Sequence, residues 1–389
     1  MDKKKIFMPL LMAIPSFGLG FIWNMKSTLL SLLVRTVTPS DIKLGIVAAL
    51  CSFTGVFFPY IGGVLSEKKY FKIGRRKPWT LVGGILGSIF ILLLGFADSY
   101  ITIVLCVFIA WSSFNFFQGA YYAWMPESVE ANQVGTVNGL GKLFYSFGGL
   151  LFYFFAVFLF NIDKHLPFIL IAILALIPIL ITCYKVKEQD IPVSTTKFKL
   201  NLEFLKNKPA MKVFLTGSCF YFAYGIITPF WIPYYETTDH FTGTEISLAL
   251  ASLTLVGMIL SIFIGVWCDK WRKDRIFLIC CIVYALAFVI GWNVKSLSML
   301  WLFAVVSGVA FIMFQVAYYS LMPEIAPKGR VGEYMGLNNV FICIPQIISS
   351  LIGGVLLDYN LGFVIFPLAI IAMIIGACVI ASYKRKHFN

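Results

Sequence analysis

The sequence predicts an all-α membrane protein of twelve transmembrane helices, arranged as two six-helix halves related by pseudo-two-fold symmetry. Three observations predict it: a composition too apolar for a soluble domain, twelve apolar runs of spanning length, and an internal repeat at a fixed offset of 197 residues.

The chain has 389 residues, 60% of them hydrophobic and 13% charged. A soluble domain carries roughly a quarter charged residues in its solvated shell. The apolar residues come in runs of about twenty, the length at which a helix crosses a hydrocarbon core. Lipid offers backbone groups no partner, so such runs must bond internally as helices.

Apolar runs between charged or Gly/Pro-marked breaks give twelve segments: 6–34, 42–65, 79–97, 101–125, 137–160, 167–184, 211–235, 245–268, 276–293, 298–322, 334–357 and 362–383. The first is too long for a cleavable leader and lacks a small-x-small cleavage site, so it reads as helix 1. Every connection is short except 185–210, which is polar and dotted with lysines. It is expected to be a cytoplasmic linker between an N-terminal bundle, 1–184, and a C-terminal bundle, 211–389.

The net charge of +13 is explained by where Lys and Arg fall. With the N-terminus placed inside, the inner loops and both termini hold 25 of the 31 basic residues. The outer loops hold four (Arg35, Lys43, Lys164, Lys295), and Lys26 and Lys142 remain within helices. This positive-inside asymmetry predicts a multi-pass protein of the cytoplasmic (plasma) membrane with both termini cytoplasmic. It leaves no basic stripe for nucleic acid. Nine cysteines are scattered through apolar runs without a CxxC pair, as small apolar residues rather than metal ligands. No GxxxxGK[ST] loop is present, no cofactor or metal is implied, and the three histidines (His165, His240, His387) fall in loops or the tail. The chain is not expected to be an enzyme.

The repeat is specific. Phe117-Gln118-Gly119-Ala120-Tyr121-Tyr122-Ala123-Trp124-Met125-Pro126-Glu127 aligns with Phe314-Gln315-Val316-Ala317-Tyr318-Tyr319-Ser320-Leu321-Met322-Pro323-Glu324. Val134-Gly135 and Gly139-Leu140 then meet Val331-Gly332 and Gly336-Leu337, giving 12 identities in 24 ungapped positions. Gln, Tyr-Tyr and Met-Pro-Glu are not generic lipid-facing residues, so helices 4 and 10 are equivalent elements of two halves. Parallel six-helix repeats are the organisation of major facilitator transporters, with solute bound between the halves near the midplane.

After helix 2 the chain reads Gly63-Val64-Leu65-Ser66-Glu67, then Lys72-Ile73-Gly74-Arg75-Arg76-Lys77-Pro78-Trp79. Gly permits a tight turn and Arg binds carboxylates bidentately, so the acid and the bases form either a charged latch or simple topology determinants. This spacing resembles the sucrose:proton symporter and glycoside–pentoside–hexuronide:cation symporter branch of the major facilitator superfamily, most strongly over about 60–145. In that pattern Glu67 takes the usual Asp position and Arg75-Arg76-Lys77 the basic triplet. Gln118-Gly119 matches the Gln-Gly of the sucrose-symporter helix 4. The chain departs from the pattern at Tyr122, where those symporters have Arg, and at Glu127, where they have Asp. The resemblance implies secondary active transport of a sugar or glycoside, coupled to a cation (proton or sodium). No Asp or Glu lies deep in any predicted helix, so proton coupling comes from the resemblance and not from the residues. Glu127 and Glu324 are expected to be acids of a cytoplasmic gate with Glu67, Arg75 and Arg76.

In this architecture helices 1, 4, 7 and 10 line the cavity. Trp111, Asn115, Gln118 and Tyr122 fall at i, i+4, i+7 and i+11, one stripe of helix 4. Phe311, Gln315 and Tyr319 repeat it on helix 10. Helix 7 offers Tyr221, Tyr224, Thr228, Trp231 and Tyr235; helix 1 offers Phe17, Phe21 and Asn24. Aromatic faces with a few amides suit a polyhydroxylated ring. For Asn115, Gln118 and Gln315 the alternative is an interhelical hydrogen bond, and for Tyr234, Tyr235 and Trp301 the interfacial belt. Lys26, inside helix 1, is a functional residue or a snorkelling one, and an ideal wheel sets it roughly 200° from Asn24. Lys142 is expected to snorkel. The partners expected are a small-molecule solute, most readily a sugar, a coupling cation and the lipid bilayer, with no nucleic acid, the protein acting as a monomer. The alternatives are an exporter of a drug-like or amphipathic solute and a non-transporting sensor with the same fold.

Overall fold

The computed structural model describes residues 3–68, 70–130, 133–188, 205–238, 240–326 and 331–383, without the side chains of 3–6, 262, 265–266, 268–270, 322–323, 331–333 and 335–336. Most of the expected linker, 189–204, therefore lies outside the described residues, as do Lys328, Arg330 and Lys384 to Lys386.

Among the described residues, twelve helical spans are long and apolar enough to cross a membrane, and the protein is a multi-pass, all-helical membrane protein. The chain divides into two compact units, Met1–Pro39 with Phe53–Lys197 and Ser40–Ser52 with Phe198–Asn389. The opening turns of the second span, Ser40–Ser52, group with the later part of the chain.

The first unit holds α1 (Lys3–Ala13), α2 (Pro15–Asn24), α3 (Leu29–Val37), most of α4 (Asp41–Lys68), α5 (Lys77–Leu94), α6 (Tyr100–Glu127), α7 (Val134–Ile162) and α8 (Leu166–Lys185). The predicted single helix over 6–34 is corrected: it breaks at a 3-10 turn, Met25–Ser27, before Thr28 at φ −140° and ψ −74°. Across that break the ideal wheel that separated Asn24 from Lys26 does not apply. The second unit holds α9 (Lys208–Ile227), α10 (Trp231–Thr238), α11 (Gly243–Lys270), α12 (Lys273–Trp292), α13 (Leu297–Ile325), α14 (Val331–Asp358) and α15 (Ile365–Ala381). Its first span is also broken, by a 3-10 turn at Thr228–Phe230.

Helix starts follow local chemistry. Pro opens α2, α5, α8 and α9, where its missing N–H has no intrahelical acceptor to lose. Ser99 caps α6, Asn207 caps α9, and Thr242 with Glu245 closes a reciprocal capping box on α11.

Packing inside each unit repeats. In the first, α2 packs on α7 and α8, and α5 on α6 and α8; in the second, α9 packs on α14 and α15, and α12 on α13 and α15. The sequence repeat is thus also a repeat of contacts. Its aromatic signature is reproduced as well: Phe117 stacks on Tyr121 at 5.0 Å and 20°, Phe314 on Tyr318 at 4.8 Å and 19°. Helices α4 and α6 touch backbone to backbone, since a Cβ on Gly119 would lie 1.9 Å from the Pro59 carbonyl oxygen.

Candidate functional site

The charged cluster builds up from the turn after α4. Gly74 sits at φ +126°, a conformation that favours glycine, and its backbone pairs with Phe71. This turn delivers Arg75 and Arg76 to the start of α5, where both are buried. Arg76 reaches Glu127 through Nη2 at 2.7 Å and Nε at 3.1 Å. It also donates to Glu67 at 3.2 Å and to the Ser66 hydroxyl at 2.8 Å. Arg75 adds a bond to Glu127 at 2.9 Å. Burial alone would lower the Arg76 guanidinium, but the carboxylates of Glu127 and Glu67 outweigh it and raise it above its ordinary value. These arginines are therefore engaged in a structural latch and are not merely markers of topology.

Sequence reasoning missed Glu188. Its carboxylate accepts from the backbone N–H groups of Arg75, Arg76 and Lys77, capping the N-terminus of α5. It stood in a segment read only as linker, and nothing in its spacing marks it. The second unit carries a simpler counterpart: Lys273 at the start of α12 donates to Glu324 at 2.6 Å.

Of the predicted helix 4 stripe, Trp111 and Asn115 are buried, Gln118 is half-buried and Tyr122 is exposed. Asn115 donates to the Thr54 hydroxyl at 3.0 Å and to the Trp111 carbonyl at 2.9 Å, joining α6 to α4. Of the two readings left open for Asn115, the interhelical bond is the one observed. Trp231 is buried and stacks on Phe303 at 4.6 Å, and Tyr235 donates to the Gly291 carbonyl at 2.8 Å. The interfacial-belt reading is therefore corrected for Tyr234 and Tyr235, which pack inside the unit, while Trp301 is exposed.

In the second unit the structure joins residues that the sequence set on separate helices. Gln315 donates to the Tyr221 hydroxyl at 3.5 Å. The Tyr318 hydroxyl donates to Asn338. Asn338 was not foreseen, because it lies outside helices 1, 4, 7 and 10.

In the first unit Asn24 accepts from the Tyr153 hydroxyl at 2.9 Å, and Tyr153 also bonds Ser27 at 2.8 Å. Lys26 is buried within the break of the first span. No group of three or more metal-ligating side chains occurs among the described residues.

These features meet in one comparison. The family model described as Major Facilitator Superfamily matches residues 12–242 and 213–388. The chain belongs to the major facilitator superfamily. Among curated relatives, an uncharacterized MFS-type transporter of Methanocaldococcus jannaschii is 30% identical over 135 residues. That match spans 34% of each of the two chains. Among solved structures, a variant of the nucleoside transporter NupG superposes with a TM-score of 0.78 at 15% identity, covering 97% of this chain and 99% of that one. A bacterial homologue of the human lysosomal transporter Spinster, inward-facing and occupied, reaches 0.78 at 13% identity over 99% and 98% of the two chains. At these identities the superpositions show that the major facilitator fold is shared, and nothing of the solute.

Proposed function

We propose that this major facilitator protein is a secondary active transporter of a small polyhydroxylated solute, a sugar or glycoside, working by alternating access across the cytoplasmic membrane. The observation that carries the reading is the pairing of amides with phenols, Gln315 with Tyr221 and Asn338 with Tyr318, within membrane-spanning helices. Gln315 and Tyr319 are half-buried, and the repeat sets Gln118 and Tyr122 at the corresponding places. Phenol and amide groups that trade hydrogen bonds with one another can trade them with sugar hydroxyls at little net cost. The motif resemblance to glycoside symporters points the same way.

Gln118, Tyr122, Asn24, Tyr224, Thr228, Gln315 and Tyr319 are proposed to contact solute, with Lys26 as a fixed charge beside it. Glu67, Arg75, Arg76 and Glu127, with Glu324 in the second half, form the cytoplasmic gate, both termini lying inside. Among the described residues the carboxylates of the spans lie in their first or last turns (Asp41, Glu67, Glu127, Glu236, Glu245, Asp274, Asp358), so coupling to protons or sodium rests on the resemblance alone.

Uptake of radiolabelled disaccharides into proteoliposomes, with and without an imposed pH gradient, tests the reading. Sugar accumulation that Gln118→Ala and Gln315→Ala each diminish is the expected result. Dye efflux without sugar uptake would replace it with the exporter.

A further inference from the structure

The one lysine set aside as a membrane anchor stands on a face of its own. On α7 the exposed apolar residues Leu143, Phe147, Phe154, Phe155, Phe158 and Ile162 form one stripe. At 100° per residue that stripe is centred roughly 155° from Lys142. Lys142 belongs instead to the sequence Asn138, Lys142, Ser146, Gly149, Tyr153, whose spacings of four, four, three and four keep one helical face.

This polar face has two different ends. Toward the α7 C-terminus, Tyr153 is satisfied by Asn24 and Ser27. Toward the start, Asn138 and Lys142 are exposed and Ser146 is half-buried. None of these three side chains has a hydrogen-bond or ion-pair partner among the described residues. Beside them the face is bare: a Cβ added at Gly135 or Gly139 would meet nothing within 4 Å. Lys142 lies eight residues into the helix, about 12 Å from its start at 1.5 Å per residue. An ammonium within a membrane span, on a polar face rather than the lipid-type one and without a partner among the described residues, is a free charge-assisted donor that a bound anion would satisfy.

We infer that Lys142 is an anion-binding residue of the translocation surface, so that the solute of this transporter carries a carboxylate or phosphate alongside its hydroxyls. The inference rests on the transport reading above and narrows its substrate class to sugar acids or sugar phosphates. Charge balance agrees: Lys26 and Lys142 are the two basic residues that sequence analysis left inside helices, and the acidic residues stay at the span ends. The exposed amide of Asn138 and the bare backbone at Gly135 and Gly139 leave room for a group larger than an inorganic ion.

Glucuronate and glucose, matched in ring and hydroxyls, are the probes, at an ionic strength held constant with chloride. In detergent, glucuronate is expected to raise the melting temperature of the full chain above the value with glucose. Lys142→Gln should abolish that difference and Lys142→Arg retain it. In proteoliposomes the ratio of glucuronate to glucose uptake should fall about tenfold in Lys142→Gln, as expected for losing one charge-assisted hydrogen bond. A thermal difference that survives Lys142→Gln, or no response to glucuronate at all, overturns the inference. A Lys142-dependent shift on exchanging phosphatidylcholine for phosphatidylglycerol, with none from glucuronate, also overturns it and assigns the residue to a lipid headgroup. A Lys142-dependent glucuronate shift without any uptake supports anion binding and sinks the transport reading instead.

Discussion

Glu127 and Glu324 stand 197 residues apart, and each closes an ion pair with a base 51 residues before it, Arg76 and Lys273. The duplicated unit therefore carries its latch with it, although the two copies differ in strength. Arg76 is buried and holds two carboxylates, a hydroxyl and the Gly63 carbonyl, whereas Lys273 reaches Glu324 and the Ser320 carbonyl, and each side chain of that ion pair remains about a quarter exposed.

Unequal burial predicts unequal loss. Arg76→Ala leaves Glu127 with Arg75 as its remaining partner and should destabilise by about 3 kcal/mol, the lower end of what breaking a buried pair from one side costs. Lys273→Ala should cost about 1 kcal/mol or less, as more exposed pairs do. Thermal unfolding in detergent compares them, and equal shifts would refute the asymmetry.

Glu188→Ala removes the acceptor for three backbone donors at the start of α5. The expected loss is about 1–2 kcal/mol, the scale of a helix cap with its charge–dipole interaction. Glu188→Gln should recover part of it. A melting temperature unchanged in both variants would show that the cap carries no stability.

Two glycines of one unit should respond in opposite directions. Gly119→Ala drives a Cβ to 1.9 Å from the Pro59 carbonyl oxygen and should cost about 3 kcal/mol by forcing α4 and α6 apart. Gly135→Ala meets nothing within 4 Å and should gain up to about 1 kcal/mol of helix propensity. The order of melting temperatures, Gly135→Ala above the parent and Gly119→Ala below it, is the check.

Gln315→Leu deletes the amide that donates to the buried Tyr221 hydroxyl. Uptake should lose about tenfold in kcat/KM through a buried partner left unsatisfied. Asn115→Ala, which breaks a bond internal to the unit, should lower stability by about 1 kcal/mol and leave solute preference unchanged. A change of preference in Asn115→Ala would return that residue to the solute site.

The architecture was legible because lipid converts composition directly into helices, and because the Gln–Tyr–Tyr…Met-Pro-Glu stretch recurs with little room for coincidence. The latch was legible in part: Arg75, Arg76, Glu67 and Glu127 share a turn and a helix end that spacing can read. Glu188 was hidden because its partners are backbone donors, which leave no side-chain signature. Ideal helical geometry misled at the first span, which it carried straight through Met25–Ser27. On the helix 4 stripe it gave a shared direction but could not say that Asn115 is held by Thr54 while Tyr122 is exposed. A wheel records direction around one helix, not what its neighbours cover.

The interruption between Asn24 and Leu29 changes how the first span bends. Ser27 donates at 2.7 Å to the Asn24 carbonyl, whose ladder partner, the Thr28 N–H, bonds Met25 instead, and Ser31 adds a bond at 2.6 Å to the Thr28 carbonyl beside the Leu32 N–H. An intact helix resists bending along a whole run of backbone bonds. Here the stiffness is concentrated on either side of four residues, so a change of angle between the flanking rods needs only a few hydroxyl bonds to be exchanged. The segment is a pivot whose compliance is written in serines, with the Lys26 charge riding on it.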